Sequence, residues 1–152
     1  MLREQLDADL KLALRERHAV RLSVIRQVKA AVLAQETRHV RTTLDDQGIQ
    51  AVIVKEIKER RDSLAEFERA HREDLADKAR AEIGELTRYL PEALSPAELH
   101  ALVDRAIQET GAASARDLGA VMAKVLPETR GRADGRTVSD LVRDRLSRLA
   151  SE

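Results

Sequence analysis

The sequence predicts an all-α protein, and three observations carry that prediction. Apolar residues recur at three- and four-residue spacing through most of the 152 residues. Composition favours helix over strand: aromatics make up 1% of the chain and charged residues 36%, with Ala, Leu, Arg and Glu abundant where a sheet wants β-branched and aromatic side chains. The three prolines and six glycines fall mostly between the periodic runs, where they punctuate helices. An apolar content of 43% excludes a disordered chain.

The elements follow in order. Leu2, Leu6, Leu10 and Leu14 mark a first amphipathic helix. Leu22, Ile25, Val28 and Val32 mark a second, ending near His39, with the break between the two near Arg15 to Ala19. Arg21 lies beside the apolar stripe, placed to snorkel or to pair with a carboxylate. Thr43 and Asp46 have capping-box spacing and open a long third helix whose apolar face is Ile49, Val52, Ile53, Ile57, Leu64 and Phe67. Arg60 falls on that face, which predicts an ion pair with a core-edge carboxylate. After a break at His71 to Asp74, a fourth helix turns Leu75, Ala79, Ile83, Leu86 and Leu90 inward. Gly84 in its middle suggests a close helix approach.

Tyr89-Leu-Pro91 ends that helix and marks the domain boundary, giving an N-terminal bundle of about four helices over 1–91 and a C-terminal three-helix unit over 92–152. Ser95, Pro96 and Glu98 form a helix start, Leu99, Leu102, Val103 and Ile107 a buried face, and Gly111 a stop. Ser114 and Asp117 open the sixth helix, which Pro127 is expected to end. Thr137 and Asp140 open the seventh, with Leu141, Val142, Leu146 and Leu149 inward.

Composition also excludes function classes. Without cysteine there is neither a disulfide framework nor a thiolate site. No apolar run approaches the ~20 residues of a membrane span, and no signal-peptide core opens the chain, so a soluble, cytoplasmic protein is expected. The four histidines lack metal-ligand spacing, and no Walker, dinucleotide-binding or nucleophile-elbow pattern occurs. No metal, cofactor or independent catalytic centre is expected.

Charge is zero overall but unevenly placed. Residues 11–41 hold eight Lys or Arg against two Glu, a net of +6, and residues 114–150 hold eight against five acids, a net of +3. Such zones are either solvated helix faces or anion-binding surfaces. The second zone includes a basic loop, 127–136, in which Arg130, Arg132 and Arg136 accompany Gly131 and Gly135. Glycine lets the backbone come close to a partner, and arginine offers forked donors to phosphate. The loop leads into a helix N-terminus, which favours anions. Arg116, Lys124, Arg130, Gly131, Arg132, Gly135 and Arg136 are therefore the candidate RNA-binding residues. With one Tyr and one Phe, backbone recognition of folded RNA fits better than stacking on single-stranded bases.

Several stretches together resemble the GatB/YqeY domain family, in its stand-alone YqeY-like form. They are Arg21-Leu-Ser-Val-Ile-Arg26, Arg61-Asp-Ser-Leu-Ala-Glu-Phe67, Arg72-Glu-Asp-Leu75, Tyr89-Leu-Pro91, Asp117-Leu-Gly-Ala-Val-Met122 and Gly131-Arg-Ala-Asp-Gly135. The resemblance implies two helical subdomains joined near Pro91. It also implies kinship with the GatB tail of the glutamine-dependent Asp/Glu-tRNA amidotransferase, which holds the outer corner of tRNA away from the catalytic sites. The family label of carbon–nitrogen ligase with glutamine as amide donor then describes the larger enzyme, and this chain, about as long as the tail, is not expected to catalyse alone. One departure is Ala120, where the family commonly has Lys. The expected function is an accessory tRNA-binding module, working with the amidotransferase or another translation protein. The alternative is a protein-interaction module in translation without direct RNA binding.

Overall fold

The computed structural model describes residues 1–38 and 42–151. The chain divides into two compact units, Met1–Leu90 and Pro91–Glu152. Among the described residues there are seven α-helices, one 3₁₀ turn and no strand, so the chain is all-α as its periodicity predicts.

The first unit holds α1 (Leu2–Glu16), α2 (Ala19–Arg38), α3 (Asp46–Arg69) and α4 (Glu73–Thr87). Helix α2 lies against the other three, and its Val24, Ile25 and Val28 are wholly buried with Ile53 and Leu86. The break between α1 and α2 is built from Arg17, left-handed at φ 54°, and His18, whose Nδ1 accepts the N–H of Arg21 at 3.1 Å and so caps α2. The expected end of α2 at His39 lies outside the described residues.

Three expectations fail here. Leu14 is 49% exposed, while Ala13 is fully buried in its place. Four-residue steps turn a helix by about 400°, so the leucine stripe drifts about 40° per step and has left the core face by Leu14. Helix α3 is capped by Asp45, whose carboxylate accepts the Gly48 N–H at 2.8 Å, and not by Thr43. The Asp46 carboxylate instead accepts the N–H of Leu2 at 3.1 Å, a tertiary use that removes it from the expected box. Gly84 is exposed, and a Cβ there would meet nothing within 4 Å, so no helix approaches it closely.

The two inward arginines are both paired. Arg60, 11% exposed, bonds Glu56 at 2.7 Å and Glu82 at 2.8 Å, tying α3 to α4. Burial opposes its charge, yet these bonds outweigh burial and raise its pKa. Arg21 bonds Glu85 at 2.8 Å, joining α2 to α4 and holding the Glu85 carboxyl below its ordinary range. The bundle closes at Tyr89, which is buried and donates its O–H to Asp9 at 2.5 Å. Burial first, and then the bond to Asp9, push the phenol pKa up.

The second unit holds α5 (Pro96–Thr110), α6 (Leu118–Thr129) and α7 (Gly135–Ala150). The Ser95–Glu98 capping box forms as expected, and Gly111 ends α5 in the left-handed region at φ 67°. Val103, Val121, Val125, Val138, Val142 and Leu146 make a wholly buried core. The Ser114–Asp117 box closes a 3₁₀ turn, Ala115–Asp117, ahead of α6. Pro127 does not end α6, which runs on to Thr129. In the last turn a missing N–H costs one ladder bond only, and the turn is otherwise closed by the Arg130 N–H to Leu126 at 2.9 Å and by the Thr129 hydroxyl to the Val125 carbonyl at 3.1 Å.

Candidate nucleic-acid interface

The seven residues proposed from the sequence all lie in the second unit, on or beside α6 and the start of α7. The basic loop is shorter than expected. Helix α7 begins at Gly135, and its cap is Asp134, whose carboxylate accepts the Thr137 N–H at 3.2 Å; Thr137 is not the cap. Gly135 and Arg136 therefore belong to the first turn of α7, leaving only Arg130 to Asp134 between helices. The anion expected at this helix end is supplied by the chain itself, since a carboxylate already meets the free N–H groups and the dipole.

Each basic residue has a distinct setting. Lys124, midway along α6, bonds Glu109 of α5 at 2.9 Å. Arg132 is a clasp: its carbonyl accepts the Leu94 N–H at 2.8 Å, and its Nε donates to the Glu92 carbonyl at 3.1 Å, so it holds the segment before α5 onto the α6–α7 turn. Gly131, at φ 78°, supplies the left-handed residue that this turn needs. Arg143, Arg145 and Arg148 face Asp140, Asp104 and Asp144 at 3.9, 3.2 and 3.3 Å.

Three arginines of the basic zone remain. Arg116, Arg130 and Arg136 are exposed, and their side chains make no hydrogen bond or ion pair with the described residues. Arg130 stands at the C-terminus of α6, where the dipole favours a cation. Arg136 stands in the first turn of α7, where the dipole opposes one. Its side chain has no ion pair among the described residues, while the Asp134 cap carboxylate meets the dipole of that helix end. The three do not converge on one pocket. Arg116 precedes α6 and Arg130 follows it, and a helix of 12 residues is about 18 Å long. The arrangement is a spread of forked donors, each able to take a separate phosphate.

Sequence reasoning missed the Asp134 cap and the Arg132 clasp. The cap had a local signal, an Asp three residues ahead of Thr137. The clasp had none, since its partners lie about forty positions away. Among the described residues, no group of three or more His, Cys, Asp or Glu is placed to hold a metal, and no helix is long and apolar enough to cross a membrane.

Known proteins share this chain's pattern. The family profile described as "Yqey-like protein" matches residues 3–146, which takes in both units and every candidate residue. The chain belongs to that family. It is also 35% identical over 146 residues to "Altered inheritance of mitochondria protein 41, mitochondrial" of Pyrenophora tritici-repentis (strain Pt-1C-BFP), an alignment that covers 92% of this chain and 78% of that protein. That relative carries a mitochondrial designation in its own name.

Proposed function

We propose that this Yqey-like protein is an accessory RNA-binding module that holds the phosphate backbone of folded tRNA, acting in cytoplasmic translation beside an amidotransferase or a similar tRNA-modifying enzyme. It contributes binding and no catalysis of its own. The observation that carries this reading is the set Arg116, Arg130 and Arg136, unpaired among the described residues in a unit where the other cations of the basic zone are engaged. The resemblance to the amidotransferase tail supports tRNA as the nucleic acid.

The test is fluorescence anisotropy of labelled total tRNA at about 50 and 200 mM salt, with duplex DNA as control, because phosphate neutralisation appears as a salt slope. The triple variant Arg116→Ala, Arg130→Ala, Arg136→Ala is expected to bind tRNA more weakly, with a slope flatter by about 0.7–0.9 for each phosphate no longer neutralised. Arg132→Ala is unsuitable as a first probe, since it also releases the clasp. Wild-type affinity and slope in the triple variant would remove these arginines from any RNA site.

A further inference from the structure

The RNA reading leaves the more basic zone, residues 11–41, unused. We propose that the outer face of the α1–α2 hairpin docks an acidic amphipathic helix of a partner protein.

The face can be ordered from two ion pairs. Arg3 bonds Glu36 at 2.6 Å, and Lys29 bonds Asp7. Advancing from Arg3 to Asp7 on α1 means retreating from Glu36 to Lys29 on α2, so the two helices are antiparallel. Lys11 lies one turn beyond Asp7, and Arg26 lies one turn before Lys29. The antiparallel arrangement puts both on the same side of the Asp7–Lys29 pair. Both are exposed, and neither has an ion pair among the described residues. One turn beyond Lys11 stands Leu14, 49% exposed. In the other direction, one turn beyond Lys29, stands Leu33, 61% exposed. The stripe thus reads leucine, cations, leucine. Leu33 is four residues past Lys29 and Leu14 seven past Asp7, which separates the two leucines by about 16 Å, or three helical turns.

Leu33 also edges a cleft of about 340 Å³ between α1 and α2, whose apolar lining includes Leu6, Val32 and Ile49. A leucine side chain beside such a cleft offers nothing to a phosphate, but it is an anchor point for an apolar side chain. The carboxylates on this face, Asp7 and Glu36, are already paired; Glu36 takes the Leu44 N–H at 2.7 Å as well as Arg3. The charge left without a partner is therefore positive, on Lys11 and Arg26. Charge complementarity selects an acidic partner. The leucine spacing selects a helix with apolar residues three turns apart and carboxylates between them.

The proposal is independent of RNA binding by the second unit. Its test uses the ¹⁵N-labelled full chain and a synthetic helical peptide of about 18 residues, with leucines three turns apart and glutamates between them. A scrambled peptide of the same composition and total tRNA serve as separate titrants. Saturable amide shifts confined to residues 7–14 and 26–33, weakened about tenfold or more by Leu33→Glu or Arg26→Glu and by added salt, are expected. Both variants alter exposed side chains, and the amide spectrum reports that they remain folded. Three results would overturn the proposal: no shifts at millimolar peptide, equal binding of the scrambled peptide, or movement of these amides with tRNA and not with the peptide.

Discussion

Replacing Arg60 by methionine tests whether an arginine on an apolar face is structural. Methionine keeps the aliphatic stem and removes the charge, leaving Glu56 and Glu82 without their shared partner at side-chain exposures of only 18% and 15%. An exposed ion pair contributes about 0–1 kcal/mol, and breaking a fully buried one costs about 3–5 kcal/mol. Arg60 is 11% exposed and makes two charge-assisted bonds at 2.7 and 2.8 Å, so the loss falls between those limits, at about 2–3 kcal/mol. The readout is amide hydrogen exchange, which resolves the two units. Core amides of α2 and α3 exchange through opening of the first unit, and a loss of that size speeds them about 30- to 150-fold. Amides of α5 to α7 keep their wild-type rates. Glu82→Gln combined with Arg60→Met is expected to cost less than the two single changes summed, because both remove one shared bond. Unchanged exchange in α2 and α3 would refute the argument and free Arg60 for a ligand role. Equal acceleration in both units would refute the assignment of its effect to the first.

Three further predictions follow from local geometry. Gly84→Ala fills open space in a helix interior and is expected to stabilise by about 0.5–1 kcal/mol, whereas Gly111→Ala forces a Cβ at φ 67° and is expected to cost about 1–2 kcal/mol; thermal unfolding separates the signs. Ser95→Ala removes the hydroxyl that accepts the Glu98 N–H at 3.1 Å and is expected to cost about 1 kcal/mol, read from exchange in α5. Acid should destabilise the fold. Glu85 is held low by Arg21, Glu36 by the Leu44 N–H and Asp117 by the Ala113 N–H, so each binds its proton less readily folded than unfolded. That stability is complete above about pH 5 and is lost as pH falls through about 4 toward the lowered folded values, which urea midpoints at descending pH will show.

The helices and many of their ends were legible from local chemistry. Periodicity of Leu, Ile and Val identified most of the core faces, because burial of an amphipathic stripe is set by spacing within one helix, but Leu149, expected inward at the end of α7, is 38% exposed. The Ser95–Glu98 box was legible for the same reason, since all its atoms lie within four residues. Where two local solutions compete, sequence alone misassigned them. Thr43 and Asp45 both offer caps to α3, as Asp134 and Thr137 do to α7, and the carboxylate holds both positions. Pro127 and Leu14 depart from expectation because a rule for an average helix does not fix the outcome at one particular turn.

The sequence by itself determined that this chain is all-α, that it is a Yqey-like protein, and where its positive charge is concentrated. Only tertiary structure decided which of those charges are available. Arg132 looked like a phosphate donor and is a clasp, Lys124 is bonded to α5, and Arg116, Arg130 and Arg136 have no partner among the described residues. The physical reason is that a cation's availability depends on the nearest oxygen in space, and for Lys124 and Arg132 that oxygen lies fifteen and forty residues away.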